Sequence, residues 1–124
     1  MYRSMSKGKI IIDDGAKKAL VNNHSSLLPK GIIDVKGDFL IFQIVDIVDK
    51  DDALLARGMV NYSSDEIKLI KGLNTSEIEN RLNYKDYDEI IHANNLVLVE
   101  GVKNNDWGSI KTSKVSLSSN AKNW

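Results

Sequence analysis

Three groups of side chains in the 124-residue sequence could do chemistry: a serine pair beside an acid, two histidines, and a run of aspartates. Ser63 and Ser64 precede Asp65, but the sequence offers no evident base for either hydroxyl. A serine hydroxyl becomes a useful nucleophile only when a base activates it. The same residue types at this spacing are typical of a helix N-terminus. We therefore predict a helix cap here and no catalytic residue.

The histidines and aspartates do not form a metal-binding pattern. His24 and His92 lie far apart in the chain, and the sequence has no cysteine. The acidic run 49–52 lacks the turn glycine and the late glutamate of a calcium loop. We predict capping or packing for the histidines, a hairpin turn at 49–52, and no metal site. No glycine-rich loop ending in Gly-Lys is present to hold a nucleotide phosphate, so we predict no cofactor.

Arg57 is a charged residue inside a predicted strand. Such an arginine either contacts a ligand or pairs with an acid on the neighbouring strand. We favour a pair with Asp46, because opposite charges on adjacent strands attract each other.

The charges balance overall but are unevenly spread. Residues 1–102 hold 13 basic and 16 acidic residues, whereas 103–124 hold four lysines and one aspartate. A body of this charge argues against strong non-specific binding to nucleic acid, which requires a basic surface. No apolar run approaches the ~20 residues of a membrane span, and the N-terminus lacks the apolar core of a signal peptide. With no cysteine, we expect a cytoplasmic chain that does not enter membranes.

The stretch 56–73 sets the organisation of the chain, because the apolar pattern changes there from that of a strand to that of a helix. Leu54 to Tyr62 is predicted to be a strand. Ser63 and Glu66 have capping-box spacing for a helix that Gly72 would end in the left-handed conformation.

Other segments indicate short strands and short helices around a single core. We predict strands at Lys9–Ile12, Gly31–Val35, Leu40–Val48, Ile90–His92 and Leu96–Val99. One helix should follow Asp13 and end near Asn23, and another should start within 74–76, with Ser76 and Glu79 at capping-box spacing. Pro29 predicts a loop or strand edge. The side chains expected inside are Ile41, Ile44, Val45, Ile47, Leu55, Met59 and Ile91.

Residues 56–67 (ARGMVNYSSDEI) with 70–73 (IKGL) closely resemble the C-terminal PUA domain of bacterial glutamate 5-kinase. Supporting matches are 10–20 (IIIDDGAKKAL), 26–32 (SLLPKGI), 35–39 (VKGDF), 76–78 (SEI), 83–84 (NY), 90–92 (IIH) and 94–98 (NNLVL). The resemblance implies a mainly β fold with short helices, of the α+β type, closed as a PUA-like pseudo-barrel over residues 7–100. Residues 1–6 would form a lead. The polar, basic tail 101–124 is expected to be disordered or to add one strand at 110–117.

This sequence departs from the family pattern in polar loops. Where the family usually reads Gly-Lys-Ser-Leu-Leu-Pro, this chain has His24, Ser25 and then Ser-Leu-Leu-Pro. Phe42 and Gln43 replace a usual glycine and acid, and Ala93 and Asn94 replace the middle of a usual His-Arg-Asp-Asn. Core positions are kept, which suits a module that keeps its fold but has lost or changed a contact.

The resemblance implies an accessory or regulatory domain and no enzyme in this chain alone. As part of a longer chain it would belong to glutamate 5-kinase, which uses ATP to phosphorylate glutamate in proline biosynthesis. Its expected partner is the kinase catalytic domain, in cis or in trans. The alternative is an RNA-binding module that binds structured RNA weakly. The candidate contact residues for RNA or a partner are Lys7, Lys9, Lys17, Lys18, Arg57 and His92.

Overall fold

A computed structural model describes residues 6–99 as one sheet with short helices packed against it. The strands are β1 (Gly8–Ile12), β2 (Ile32–Gly37), β3 (Ile44–Val48), β4 (Leu54–Met59) and β5 (Leu96–Leu98), and the α-helices are α1 (Asp14–Asn23), α2 (Ser64–Ile70) and α3 (Ile78–Leu82). The strand order is β2-β1-β3-β4-β5, with β1 and β3 parallel and the other neighbours antiparallel. The predicted fold class, mainly β with short helices, is confirmed.

Helix α1 begins where the sequence predicts. The Asp13 side chain accepts the N–H of Ala16 at 2.8 Å and satisfies one of the donors that a helix N-terminus leaves open. The helix ends at His24, whose φ of 53° is left-handed. Leu20 is the fully buried side chain of this helix, so α1 is anchored to the core on one side only.

The capping box of α2 is confirmed by geometry. The Ser63 hydroxyl accepts the N–H of Glu66 at 3.2 Å, and the Glu66 carboxylate accepts the N–H of Ser63 at 2.8 Å. Gly72, two residues past the helix, has a φ of 81°, as expected for a glycine that ends a helix.

The next predicted capping box is wrong by two residues. Asn74 N–H donates to the Glu77 carboxylate at 2.9 Å, and a 3-10 turn at Thr75–Glu77 precedes α3. Ser76 and Glu79 therefore do not cap the helix. The helical path nevertheless starts within the predicted 74–76, because the 3-10 turn begins at Thr75 with Asn74 as its cap.

The core contains most of the side chains predicted to be inside. Val45, Ile47, Leu55 and Ile91 are buried, and Ile44 and Met59 are half-buried. Ile41 is wrong, since it is 46% exposed. The remaining buried core includes Ile10, Ile12, Leu20, Leu27, Tyr62, Ile67, Ile70, Ile78 and Ile90.

Ile41 is exposed because the predicted strand 40–48 is shorter than its apolar run. Strand β3 begins at Ile44, and residues 40–43 form a turn instead. Phe42 N–H donates to the Val60 carbonyl at 2.7 Å, and Leu40 N–H donates to the Gln43 side chain at 2.9 Å. The backbone bonds of the turn are thus satisfied without strand pairing, and no packing layer covers residues 40–42.

Two further strand predictions need correction. Ile90–His92 forms only an isolated bridge between Leu27 and Ile91, followed by a 3-10 turn at Ala93–Asn95. Pairing stops there because Ala93 N–H turns away to the Ser26 hydroxyl at 2.8 Å. Strand β2 starts at Ile32, since Pro29–Gly31 is itself a 3-10 turn. The strand or disorder predicted within 101–124 lies outside the described residues.

None of α1, α2 and α3, the α-helices within residues 6–99, is long and apolar enough to cross a bilayer.

Candidate functional site: the cleft beside the first helix

A cleft of about 390 Å³ lies between α1 and the loop that carries the proline. The loop can approach the helix because Gly31 has no side chain. A Cβ at Gly31 would lie 2.5 Å from the Cβ of Ala16. Asp13 N–H also donates to the Gly31 carbonyl at 2.9 Å, which ties the start of the helix to the end of the loop.

Residues 90–91 hold the far side of the loop. Leu27 N–H donates to the Ile91 carbonyl at 2.9 Å, and Ile90 N–H donates to the Leu27 carbonyl at 2.7 Å. These bonds fix the backbone of a loop that lies between a proline and a helix end, so the cleft is built on a rigid frame.

Apolar side chains and a few polar groups line the cleft. The lining residues include Ala16, Ala19, Leu27, Leu28, Ser25, Ser26 and Lys30. Lys30 is exposed and has no ion pair within residues 6–99. The cleft therefore combines a largely apolar lining with one exposed cation. Sequence reasoning did not single out Lys30, although its position between Pro29 and Gly31 could have indicated a loop cation at a close approach.

Lys17 and Lys18, on α1, differ in what surrounds them. Lys17 Nζ lies 2.9 Å from the Asp49 carboxylate, and this hydrogen bond raises the pKa of Lys17. Lys18 is exposed and has no ion pair among the described residues. Of these two predicted contacts, Lys18 is the one whose charge is left for a partner.

Asp49 is the organising residue of the acidic turn 49–52. Its side chain accepts the N–H groups of Asp51 at 2.9 Å and Ala53 at 3.0 Å. The hydrogen bond from Ala53, followed by that from Lys17, holds the pKa of Asp49 below its ordinary value. Within residues 6–99, no group of three or more His, Asp or Glu side chains is arranged to hold a metal ion.

Lys9 and Arg57 lie on the outer side of the sheet on either side of Asp46. The pairing registers place Lys9 opposite Asp46 and Asp46 opposite Arg57. Arg57 Nε donates to the Asp46 carboxylate at 2.8 Å, so the predicted pair is present. Lys9 Nζ lies 2.6 Å from the Asp52 carboxylate. Lys9 and Arg57, both predicted contact residues, are thus each paired with an aspartate.

The remaining candidates are separated from one another. Lys7 lies beside the start of β3, where its N–H donates to the Ile44 carbonyl at 2.9 Å. His92 lies at the cleft end of the molecule and caps a 3-10 turn, because its Nδ1 accepts the N–H of Asn94 at 3.0 Å. The structure therefore places Lys30 in the lining of the cleft and His92 next to Ala93, whose N–H donates to the Ser26 hydroxyl of that lining, while Lys18 lies on α1 and Lys7 lies apart beside the start of β3.

The serine pair has a structural role. The Ser63 hydroxyl caps α2. Ser64 is buried, accepts the N–H of Phe39 at 3.1 Å and donates to the Phe39 carbonyl at 3.3 Å. Neither hydroxyl is arranged for nucleophilic attack, which agrees with the capping interpretation.

The sequence model of the family described as PUA domain matches residues 8–82. Glutamate 5-kinase from a Thermoanaerobacter species is 44% identical over 99 residues, which are 80% of this chain and 27% of that protein. Glutamate 5-kinase from Syntrophus aciditrophicus is 50% identical over 94 residues, covering 76% of this chain and 24% of that protein. The chain thus spans about a quarter of the length of these curated relatives.

A solved structure resembles the fold. The crystal structure of a PUA domain from Aeropyrum pernix K1, a tartrate complex, superposes with a TM-score of 0.52 at 17% identity. The similarity covers 82% of this chain and 46% of that one. The PUA-like architecture predicted from sequence is therefore confirmed.

Proposed function

Since this chain belongs to the PUA domain family, we propose that it is a non-catalytic accessory module of the glutamate 5-kinase type, working with a kinase catalytic domain in the cytoplasm. The observation that carries the proposal is its identity of 44% to a glutamate 5-kinase over 80% of the chain. That relative bears the name glutamate 5-kinase, and the match covers only 27% of its length.

The roles of the described residues support a module that does not itself catalyse phosphoryl transfer. Phosphoryl transfer needs phosphate-binding backbone, metal ligands and a residue that positions the nucleophile. Within residues 6–99 the serine pair caps and anchors α2, and the acidic turn is engaged by its own backbone and by Lys17. We therefore assign the kinase reaction, in proline biosynthesis, to a domain outside this module.

Two measurements test the proposal. With glutamate, ATP and magnesium, the purified chain should form no γ-glutamyl phosphate above a matched blank. Calorimetric titration with the catalytic part of the Thermoanaerobacter relative should show a complex whose affinity changes little with salt. Turnover that survives repurification, or no complex at any salt concentration, would contradict the proposal.

RNA binding is the second candidate, and one observation favours it. Lys30 lines the cleft and Lys18 lies on α1, both exposed and without ion pairs among the described residues, and His92 is exposed next to the residue that bonds Ser26. Phosphate contacts of this kind would hold a structured RNA, with an unstacked base against the apolar lining of the cleft.

The charge distribution limits this second candidate. Lys9, Lys17 and Arg57 face Asp52, Asp49 and Asp46, and a cation already paired with a carboxylate neutralises a phosphate poorly. Each phosphate contact adds about 0.7 to 0.9 to the slope of log affinity against log salt, so few contacts mean weak binding. We expect transfer RNA to bind weakly and to dissociate at about 0.15 M salt. Submicromolar binding at that ionic strength, abolished by Lys18→Ala with Lys30→Ala, would favour RNA over the kinase domain.

A further inference from the structure

Residues 40–42, which we name the apolar turn, expose three large hydrophobic side chains in succession. Leu40 is 68% exposed, Ile41 46% and Phe42 52%, so no element within residues 6–99 covers them. Single exposed apolar residues are ordinary on a protein surface, whereas a contiguous group of them is typical of a contact surface.

The apolar turn is held firmly in place. On one side Phe39 is buried and bonded to Ser64 in both directions. On the other side Val60 N–H donates to the Gln43 carbonyl at 3.1 Å, and Phe42 N–H donates to the Val60 carbonyl at 2.7 Å. The exposed side chains therefore stand on a rigid support, which lowers the entropy cost of a contact.

The ring of Phe42 is particular to this chain. Its φ of 69° lies in the left-handed region that favours glycine, and glycine is what the family pattern usually has at this position. An aromatic residue here costs backbone energy, and strain of this kind persists where the side chain serves a purpose. A contact shared by the whole family would not need this ring. We therefore compare the two segments that lie outside the family resemblance, residues 1–6 and 101–124.

The first of these segments enters the sheet beside the apolar turn. Lys7 N–H donates to the Ile44 carbonyl at 2.9 Å. Ile44 follows Phe42 by two residues, so at most about 7 Å of backbone joins them. Residues 1–5 span up to about 17 Å when extended, which is enough to reach the whole turn from Ser6.

The second segment leaves from the other end of the sheet. Val99 N–H donates to the Leu55 carbonyl at 3.0 Å, whereas the residue of β4 opposite Ile44 is Met59. Leu55 and Met59 are four strand residues apart, which is about 13 Å. The segment before β1 is therefore the nearer of the two.

We propose that residues 1–5 of this chain cover the apolar turn, with the Met5 side chain against the Phe42 ring. Met1, Tyr2 and Met5 give this short segment three large side chains with apolar surface. A methionine sulfur beside an aromatic ring is a favourable contact, and the unbranched side chain adapts to an irregular surface. The inference is independent of the proposed function, because it assigns a contact within this chain.

A single introduced thiol tests the contact, since the chain has no cysteine of its own. Ile41→Cys places the thiol on the apolar turn at a site that is 46% exposed, and Ile33→Cys is the matched control on β2 at 44%. The rate of reaction with a maleimide is measured in the full chain at one pH, with and without Tyr2→Ser and Met5→Ser together. These two serine substitutions leave the charge of the chain unchanged, so they do not alter the thiol pKa through charge.

We expect the two serine substitutions to speed the reaction of Ile41→Cys by about three- to tenfold, because a short docked segment protects only until it opens locally. The rate for Ile33→Cys should not change. In the chain without introduced cysteines, the Met5 methyl proton resonance should be displaced by the aromatic ring. Phe42→Gly, which suits the left-handed backbone, should return that resonance to its position in the urea-unfolded chain.

Equal Ile41→Cys rates with and without the two serine substitutions would overturn the proposal, as would a Met5 resonance that Phe42→Gly does not move. An equal change at Ile33→Cys would also overturn it, because the segment would then act on the whole fold. Protection of Ile41→Cys that depends on protein concentration would assign the apolar turn to a second copy. Protection that Trp107→Ser removes would assign it to the tail, and either result would contradict the proposal.

Discussion

Arg57 and Asp46 form an ion pair that is largely shielded from solvent on the outer side of the sheet. Arg57 Nε lies 2.8 Å from Asp46 Oδ1, and the two side chains are only 17% and 18% exposed. The Ser6 hydroxyl donates to the same carboxylate oxygen at 2.5 Å. The pair therefore joins β3, β4 and the residues leading into β1.

We predict that Arg57→Ala lowers the free energy of unfolding by about 1–3 kcal/mol, because Asp46 is left partly buried without its cation. Urea unfolding measures the loss, and a double-mutant cycle with Asp46→Ala separates the pair from other contacts of the arginine. The exposed pair of Lys9 and Asp52 is the comparison, with side chains 37% and 65% exposed. Lys9→Ala should cost less than about 1 kcal/mol. Equal losses at the two sites would show that shielding is unimportant here.

Gly31→Ala is expected to destabilise the chain by roughly 1–3 kcal/mol, because the added methyl group would overlap Ala16 at 2.5 Å. Combining it with Ala16→Gly should recover part of the loss. Gly15→Ala is the matched control, since its Cβ would meet Asp13 Oδ1 at an ordinary 3.5 Å. That control should stabilise α1 by up to about 1 kcal/mol. If Gly31→Ala were neutral, the close contact between helix and loop would not exist in solution.

His24→Gly should raise the free energy of unfolding by about 0.5–1 kcal/mol, because φ at this position is 53°. The control moves the glycine one residue back, to Asn23, which is the last helical residue of α1. Asn23→Gly should be neutral or destabilising. Thermal and urea unfolding of both variants measure the difference, and a loss of stability in His24→Gly would mean that the imidazole makes contacts worth more than the strain.

The effect of Asp49→Asn on stability should depend on pH. Hydrogen bonds from Ala53 and Lys17 lower the pKa of Asp49 below its ordinary value in the folded chain. A lowered folded pKa means that the charged carboxylate stabilises the fold above the unfolded pKa and that this stability is lost as pH falls through the folded value. We expect Asp49→Asn to be less stable than the unaltered chain by about 1 kcal/mol at pH 7 and to converge with it in acid. A constant difference from neutral pH down to pH 2.5 would contradict this assignment.

The elements predicted correctly are those whose signals are local. The cap at Asp13, the capping box of Ser63 with Glu66, and the left-handed Gly72 each depend on residues within one turn of a helix. A helix end leaves its first donors open whatever the rest of the fold does, so the nearby polar side chain identifies it from sequence.

The elements predicted wrongly depend on what lies opposite them. Leu40, Ile41 and Phe42 have the composition of a buried strand, but no layer of the structure covers them. Ile90–His92 likewise has strand composition, but the backbone turns toward Ser26. Apolar composition states which side chains would gain from burial and contains nothing about where a covering element will lie.

The amino-acid sequence alone was sufficient for the fold family, the caps at Asp13 and Ser63, and the pairing of Arg57 with Asp46. Only the tertiary structure determined which basic side chains form ion pairs. Lys17 pairs with Asp49 because the fold brings a helix and a turn that are distant in sequence into contact. The same holds for the cleft, which exists because Gly31 allows a loop to approach Ala16. Local hydrogen bonds can be inferred from neighbouring residues, whereas charge pairing and surface shape depend on long-range packing, which a linear pattern does not contain.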